Sequence, residues 1–196
     1  YGFHRGSHRI RWFWSAHVVH HTGTVMTMTT AMRQSLLYSI TGWWLFWMPM
    51  VLLGVHPSVV FFLYGVNLAY QYFVHTEVVD KLHPWIGYVF NTPSHHRVHH
   101  GVNEAYLDQN YAGVLIVWDR IFGSFTVETE EPRYGILKPV GSYNSLWINT
   151  HAWVEMFAAM RERKTLRGKL RCVFGSPNMD FIETAVSSAK DAPSPV

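Results

Sequence analysis

Leu36 to Leu53 reads LLYSITGWWLFWMPMVLL, a run of 18 residues without a charge, and Val59 to Val74 reads VVFFLYGVNLAYQYFV, again uncharged. Only Gly54-Val55-His56-Pro57-Ser58 separates them. As a helix the first run reaches about 27 Å, just short of the ~30 Å hydrocarbon core of a bilayer. Trp43, Trp44 and Trp47 cluster on it, and Pro49 is expected to kink it. Asn67 and Gln71 interrupt the second run, and polar residues inside a span face a bundle interior. The pattern predicts a transmembrane helical hairpin within an all-α fold.

Histidine-rich stretches lie on both sides of this hairpin. His4-Arg5-Gly6-Ser7-His8 and His17-Val18-Val19-His20-His21 precede it, and His95-His96-Arg97-Val98-His99-His100 follows it. Two crossings return the chain to its starting side, whereas one would strand the two sets on opposite faces. A hairpin buried in a soluble protein is the competing reading, and this topology favours the membrane. The turn carries no Lys or Arg, while Arg33 and Lys81 flank the outer ends. The positive-inside rule then places a histidine-rich helical cap on the cytoplasmic side.

A helix turns about 100° per residue, so the pair His4 and His8 shares one face, about 40° apart. In HxxHH the residues at i+3 and i+4 fall on opposite sides of the first, by about 60° and about 40°. His17, His20 and His21 therefore fan out, and His96, His99 and His100 repeat the fan. Such a turn offers a ligand to each of two ions. The three motifs hold eight imidazoles, too many for one ion and reasonable for two. His8 and His17 stand nine residues apart, which sets them on opposite faces of any straight helix. A bend or break between Arg9 and Ala16 is expected. His75 and His95 are further candidates, and His56, His83 and His151 read as ordinary core or surface histidines.

The 196 residues carry 16 Lys+Arg, 13 Asp+Glu and 13 His, with 48 % hydrophobic and 15 % charged residues. That composition suits one folded domain and argues against a disordered chain or a nucleic-acid binder. Cys172 alone provides no disulfide framework, cysteine zinc module or iron–sulfur motif. HExxH, GxSxG, P-loop and dinucleotide fingerprints are absent. Imidazole ligation suits zinc, iron, copper and nickel alike. Three readings stay open at this level: a redox pair of ions acting on an apolar substrate, a histidine-rich membrane metal-binding or transport protein, and a histidine-ligated haem protein.

The combination HRGSH, HVVHH and HHRVHH, with Asn103, Tyr106-Leu107-Asp108-Gln109-Asn110-Tyr111 and Trp118-Asp119-Arg120-Ile121-Phe122-Gly123, resembles the fatty acid hydroxylase (sterol desaturase) superfamily. His75-Thr76-Glu77 and Asn91-Thr92-Pro93-Ser94-His95-His96 look most like the branch that includes alkylglycerol monooxygenase and its bacterial relatives. The likeness covers roughly Gly2 to Ile136. It implies an integral membrane di-iron enzyme that hydroxylates or desaturates a fatty acyl, sterol or ether lipid. O2 would be the co-substrate, and a pterin or a small redox protein the separate electron donor. The motifs carry over onto His4, His8, His17, His20, His21, His96, His99 and His100. Some members add a histidine pair before the last motif; here His75 fills one position, but Val79 stands at the other. Asp108, Asp119 and Glu77 are candidates for carboxylates that hold imidazole N–H groups, and Glu104 reads as a surface acid.

The chain opens at Tyr1, already at a histidine motif by His4, and reads as part of a longer protein; the family it resembles usually carries apolar helices ahead of the first motif. Residues 1–175 form the expected catalytic domain, and Ser176 to Val196, rich in Ser, Ala and Pro, the expected loose tail. Near the end of that domain Arg161, Arg163, Lys164, Arg167, Lys169 and Arg171 form either a solvated helix face or a patch for anionic lipid head groups.

Overall fold

A computed structural model of the chain describes residues 1–177, so the expected tail from 178 onward lies outside the described residues. The described residues are helical, with two isolated β-bridges and no strand. The expected break falls at Ile10, whose extended backbone (φ −120°, ψ 117°) separates α1 (Gly2–Arg9) from α2 (Arg11–His21). Its N–H still donates to Gly6 O at 2.9 Å, and its carbonyl accepts from Trp14 N at 2.9 Å. The chain thus bends without leaving these two backbone groups unpaired.

The first apolar arm departs from expectation. It is not one helix but a tight 3-10 turn at Tyr38–Thr41, another at Trp43–Phe46, and the short α3 (Met48–Leu52). Gly42 sits in the left-handed region (φ 78°) and ends the first turn. Pro49 does not kink a long helix; it starts a short one, where its missing N–H is not needed. The second arm is the 18-residue α4 (Pro57–Val74), begun by Pro57 and capped by the His56 side chain. No described helix is long and apolar enough to cross a membrane.

After α5 (Pro84–Val89), Thr92 accepts from His95 N and Pro93 takes the first turn, opening α6 (Pro93–His100). Then come α7 (Val117–Phe122), α8 (Ser145–Glu162) and α9 (Leu166–Phe174). Helix α2 packs against α1, α8 and α9, and α4 packs against α6. The apolar core is small: Ala16, Trp153 and Met156 are buried, with Trp12, Leu37, Tyr38 and Val173 against them. Most of the buried interior is polar, and histidine dominates it.

Two contacts hold α6 in place. Arg97 forms a two-pronged pair with Glu128 (Nε–Oε1 2.8 Å, Nη2–Oε2 2.7 Å) and donates from Nη1 to the carbonyls of Thr76 and Val79. Arg97 therefore ties α6 to the segment just after His75. At the other end, a Cβ on Gly101 would lie 2.8 Å from Tyr106 Cδ2 and 3.2 Å from Val98 O. Tyr106 cannot step aside, because its hydroxyl donates to Glu130 O and accepts from the N–H groups of Thr129 and Glu130. Gly101→Ala is expected to cost about 1–3 kcal/mol by overpacking, read as a lower thermal midpoint; an unchanged midpoint would show that Tyr106 is free to move.

A candidate metal centre of two histidine groups

Four elements deliver nine imidazoles to one place. Helix α1 supplies His4 and His8, α2 supplies His17, His20 and His21, the end of α4 supplies His75, and α6 supplies His96, His99 and His100. They sort into two sets. His4, His8, His17, His21 and His99 offer ligand atoms all within 4.8 Å of one another, and so do His20, His75, His96 and His100. Each HxxHH turn feeds both sets. The i and i+4 residues go to one set and the i+3 residue to the other: His17 and His21 against His20, and His96 and His100 against His99. The sets adjoin, with the rings of His21 and His100 stacked at 4.3 Å between centroids.

Which nitrogen faces inward is decided by the backbone. His4 Nδ1–H donates to Tyr111 O (2.6 Å), His75 Nδ1–H to Gln71 O (2.6 Å) and His99 Nδ1–H to Gln109 O (3.0 Å). His17 Nδ1 pairs with the Tyr38 hydroxyl at 2.7 Å. In the neutral ring each of the three donors then keeps an acceptor lone pair at Nε2. His75 Nε2 faces His20 Nε2 at 3.1 Å and His96 Nε2 at 2.9 Å; His17 Nε2 faces His4 Nε2 at 3.0 Å and His21 Nε2 at 3.2 Å. One lone pair cannot satisfy two facing rings, and the buried Nε2 atoms of His8, His99 and His100 have no hydrogen-bond partner at all. Such separations match adjacent nitrogens around an ion bound at about 2.1 Å. The donor set fits a pair of cations that accept neutral imidazole nitrogen.

Burial holds all nine rings below their ordinary titration range. Desolvation is the leading cause throughout, reinforced at most of them by neighbouring imidazoles; His17 is lowered to about 3, His75 and His99 each to about 4.

The remaining candidates lie elsewhere. His95 joins neither set; its ring packs on Phe125 at 5.3 Å and beside Gly87, because the cap at Thr92 turns it to the far side of α6. Among the described residues none of the three carboxylates receives an imidazole N–H. Glu77 is exposed, and Asp108 stands 4.0 Å from Arg9. Asp119 is fully buried and accepts from Tyr111 N (2.8 Å), Ala112 N (2.8 Å) and Ser124 Oγ (2.7 Å). It fixes the loop whose Tyr111 carbonyl receives His4, so it acts one step removed. His56 and His83 are exposed, whereas His151 is buried and donates to Ile148 O.

Sequence reasoning missed Tyr38 and the three carbonyls. The signal for the carbonyls lies in YLDQNY. Asp108 (φ 60°) and Asn110 (φ 52°) adopt left-handed backbone, which these two residue types tolerate, and Gln109 and Tyr111 each follow one of them. That alternation aims two carbonyls at His99 and His4. A cavity of about 380 Å³ opens beside the five-histidine set; His8, His21, His99 and His100 line it, with Trp14, which packs on His8 and His21, and Trp147.

The comparisons with known proteins bear on this centre directly. The family model for fatty acid hydroxylase matches residues 1–124, the span that contains all nine imidazoles. The chain belongs to the fatty acid hydroxylase family. Human alkylglycerol monooxygenase is 38 % identical over 177 residues, covering 90 % of this chain and 39 % of that protein. The Caenorhabditis elegans alkylglycerol monooxygenase is 33 % identical over 85 % of this chain and 33 % of its own. Ornithine lipid hydroxylase OlsE of Rhizobium tropici is 27 % identical over 64 % of this chain and 38 % of its own. The chain thus spans less than two fifths of the length of these curated relatives. No solved structure matches it.

Nine imidazoles held neutral by burial are expected to make the metal-free protein acid-sensitive. An unfolded histidine titrates near 6.5, and these nine titrate lower when folded. Below about pH 6.5 the unfolded chain binds protons that the folded chain refuses, so stability falls as pH falls. The direction is the same for every ring, so their contributions to this loss add in sign. The thermal midpoint of chelator-treated protein is expected to hold from about pH 8 to 7 and collapse by about pH 5.5. A flat profile would mean that the rings are not buried as neutral groups.

Proposed function

We propose that this chain forms the catalytic, metal-binding part of a membrane-bound lipid monooxygenase with a di-iron centre. The observation that carries the reading is the pair of adjoining, buried, all-imidazole sets, five residues and four. The family and the activities for which its relatives are named support the substrate class: an ether, acyl or related lipid with a long apolar chain.

His4, His8, His17, His21 and His99 would hold one iron, and His20, His75, His96 and His100 the other. When bound, the irons supply the activation of O2 needed to attack an unactivated C–H bond. In the overall balance one oxygen atom enters that bond and the other leaves as water, with two electrons and two protons drawn from a separate donor, a pterin or a small redox protein. The chain's own groups do the positioning. The carbonyls of Gln71, Gln109 and Tyr111 keep the Nδ1 protons of His75, His99 and His4 in place and leave Nε2 free as donor to metal. Burial of eight of the nine rings limits the approach of water to the centre to the side of the cavity. The cavity beside His8, His21, His99 and His100 would admit the carbon to be oxidised, with Trp14 and Trp147 among its apolar lining and Arg11, Asp108, Lys138 and Glu155 among its charged lining.

The apolar hairpin supports a membrane location. Leu52, Leu53, Phe61 and Phe62 are all more than two-thirds exposed, and neighbouring Leu45 and Leu63 more than half. A contiguous apolar surface of this kind marks a membrane or protein contact. The hairpin would be embedded in the bilayer, with the histidine centre on the cytoplasmic side. Asp119 would position His4 through the Tyr111 loop, and neither Asp108 nor Glu77 is assigned a role toward the metal.

Lipid mass spectrometry of cells with and without the intact gene, together with iron analysis of the anaerobically purified full-length protein, tests the proposal. About two irons per chain are expected for a two-set centre, with a lipid gaining one oxygen only when the gene is present. His20→Ala and His99→Ala are expected to lose that product, whereas His95→Ala keeps both irons. Full activity in either of the first two variants, or loss of iron in the third, would overturn the ligand assignment.

A further inference from the structure

The basic run that ends in α9 takes no part in the histidine centre, and its placement separates the two readings open to the sequence. Thr165 caps α9 by accepting from Gly168 N at 3.1 Å. Its packed residues are Cys172, which is buried, and Gly168 and Val173, which are half-buried. At about 100° per residue, Leu166, Leu170 and Phe174 fall within about 80° of one another, and Leu170 lies about 160° from both Gly168 and Cys172. Val173 borders this stripe on its packed side, yet Leu166, Leu170 and Phe174 themselves stay largely open. They are 72 %, 48 % and 62 % exposed. Lys169 flanks the stripe on one side, and Arg167 and Arg171 flank it on the other. Arg163 to Phe174 contains no acid. A helix face that is merely solvated has no reason to line up three such residues.

We infer that α9 lies on an anionic lipid surface, with Leu166, Leu170 and Phe174 among the acyl chains and Arg167, Lys169 and Arg171 at the head-group phosphates. Charge selects this occupant over a second copy of the chain, because a symmetric contact through α9 would set the same cations against themselves. Location agrees. Val173 shares the small apolar core with Leu37 and Tyr38, at the foot of the first hairpin arm, so α9 sits where the embedded hairpin would leave the bilayer. The inference extends the membrane reading but rests on different residues from those that support the hairpin.

A pair of labelled variants separates the two. The full-length protein with Cys172→Ala and either Leu170→Cys or Phe62→Cys is labelled with an environment-sensitive fluorophore. It is then reconstituted into vesicles of phosphatidylcholine alone or mixed with phosphatidylglycerol, each containing brominated lipid as quencher. The label at position 62 is expected to be quenched in both. The label at 170 is expected to be quenched about threefold more strongly in the anionic vesicles, and to lose that gain with Arg167→Glu, Lys169→Glu and Arg171→Glu combined. Quenching at 62 without quenching at 170 overturns the α9 proposal and leaves the hairpin reading standing. Equal quenching at 170 in neutral vesicles, or no effect of charge reversal, overturns recognition of anionic lipid. Absence of quenching at both positions overturns both, and a label at 170 shielded by a dimer contact assigns the face to a second copy.

Discussion

Nine neutral imidazoles are packed with their lone pairs turned toward one another, and the rest of the architecture answers to that arrangement. A buried polar atom without a partner costs about 1–3 kcal/mol. Here the Nε2 atoms of His8, His99 and His100 are in that position, and the facing Nε2 atoms of His4, His17, His20, His21, His75 and His96 satisfy each other only in part. An apolar core of Ala16, Trp153 and Met156 is a small counterweight. Under the proposed function a cation at each set would relieve these unpaired nitrogens, and folding and metal binding would then be linked.

Holding the lone pairs inward requires that the other ring nitrogen be occupied, and the chain does this with backbone. Gln71 O is the last turn of α4 meeting His75, an ordinary i to i+4 relation in which the ring takes the carbonyl's hydrogen bond. Gln109 O and Tyr111 O are less ordinary, because a loop must turn them toward α6 and α1. Left-handed backbone at Asp108 and Asn110 supplies the turn. Asn110 then binds His95 O and Thr126 O through Nδ2 and Thr126 N through Oδ1, while Asp119 receives the N–H groups of Tyr111 and Ala112. Asp119 thus takes up two N–H groups of the loop, and Asn110 ties it to α6 and to Thr126, so that its carbonyls stay aimed. A carboxylate placed directly on an imidazole would carry a buried charge beside the ions; a carbonyl fixes the same tautomer without one.

The histidine spacing was legible because it is a property of one helix turn: HxxxH and HxxHH state which rings share a face. So was the break near Ile10, which follows from the nine-residue offset between His8 and His17. The number of sets was legible as well, but the division of ligands was not. His75 lies alone in sequence and joins the second set only because α4 ends beside α6. His95 stands next to His96 and is excluded only because a cap sets the phase of α6. Tyr38 carries no motif and reaches His17 from a 3-10 turn. The first apolar arm was misread because hydropathy reports composition, while Gly42 and Pro49 decide continuity. Contacts between residues far apart in the chain leave no local trace, and most of the outer support of this centre is of that kind.

The polar residues that dilute α4 as an apolar helix are the ones that register it. Val60, Asn67, Gln71 and Val74 fall within about 60° on its inner face. A Cβ on Gly113 would lie 2.9 Å from Asn67 Oδ1 and 3.2 Å from Gln71 Nε2, so only glycine lets the 111–114 loop approach this closely. Tyr70 donates to Asn91 O at 2.6 Å, and Asn91 Nδ2 donates to Ala112 O at 2.8 Å, completing a polar seam between α4 and that loop. The seam runs directly into His75. Replacing Asn67 and Gln71 by leucine would make α4 a better apolar helix and would remove the contacts that set its rotation and height. His75 sits at the end of that helix, where an error of one residue in register turns the ring by about 100° and carries it about 1.5 Å along the axis. The helix therefore trades hydrophobicity along its inner face for the precision with which its last turn delivers an imidazole.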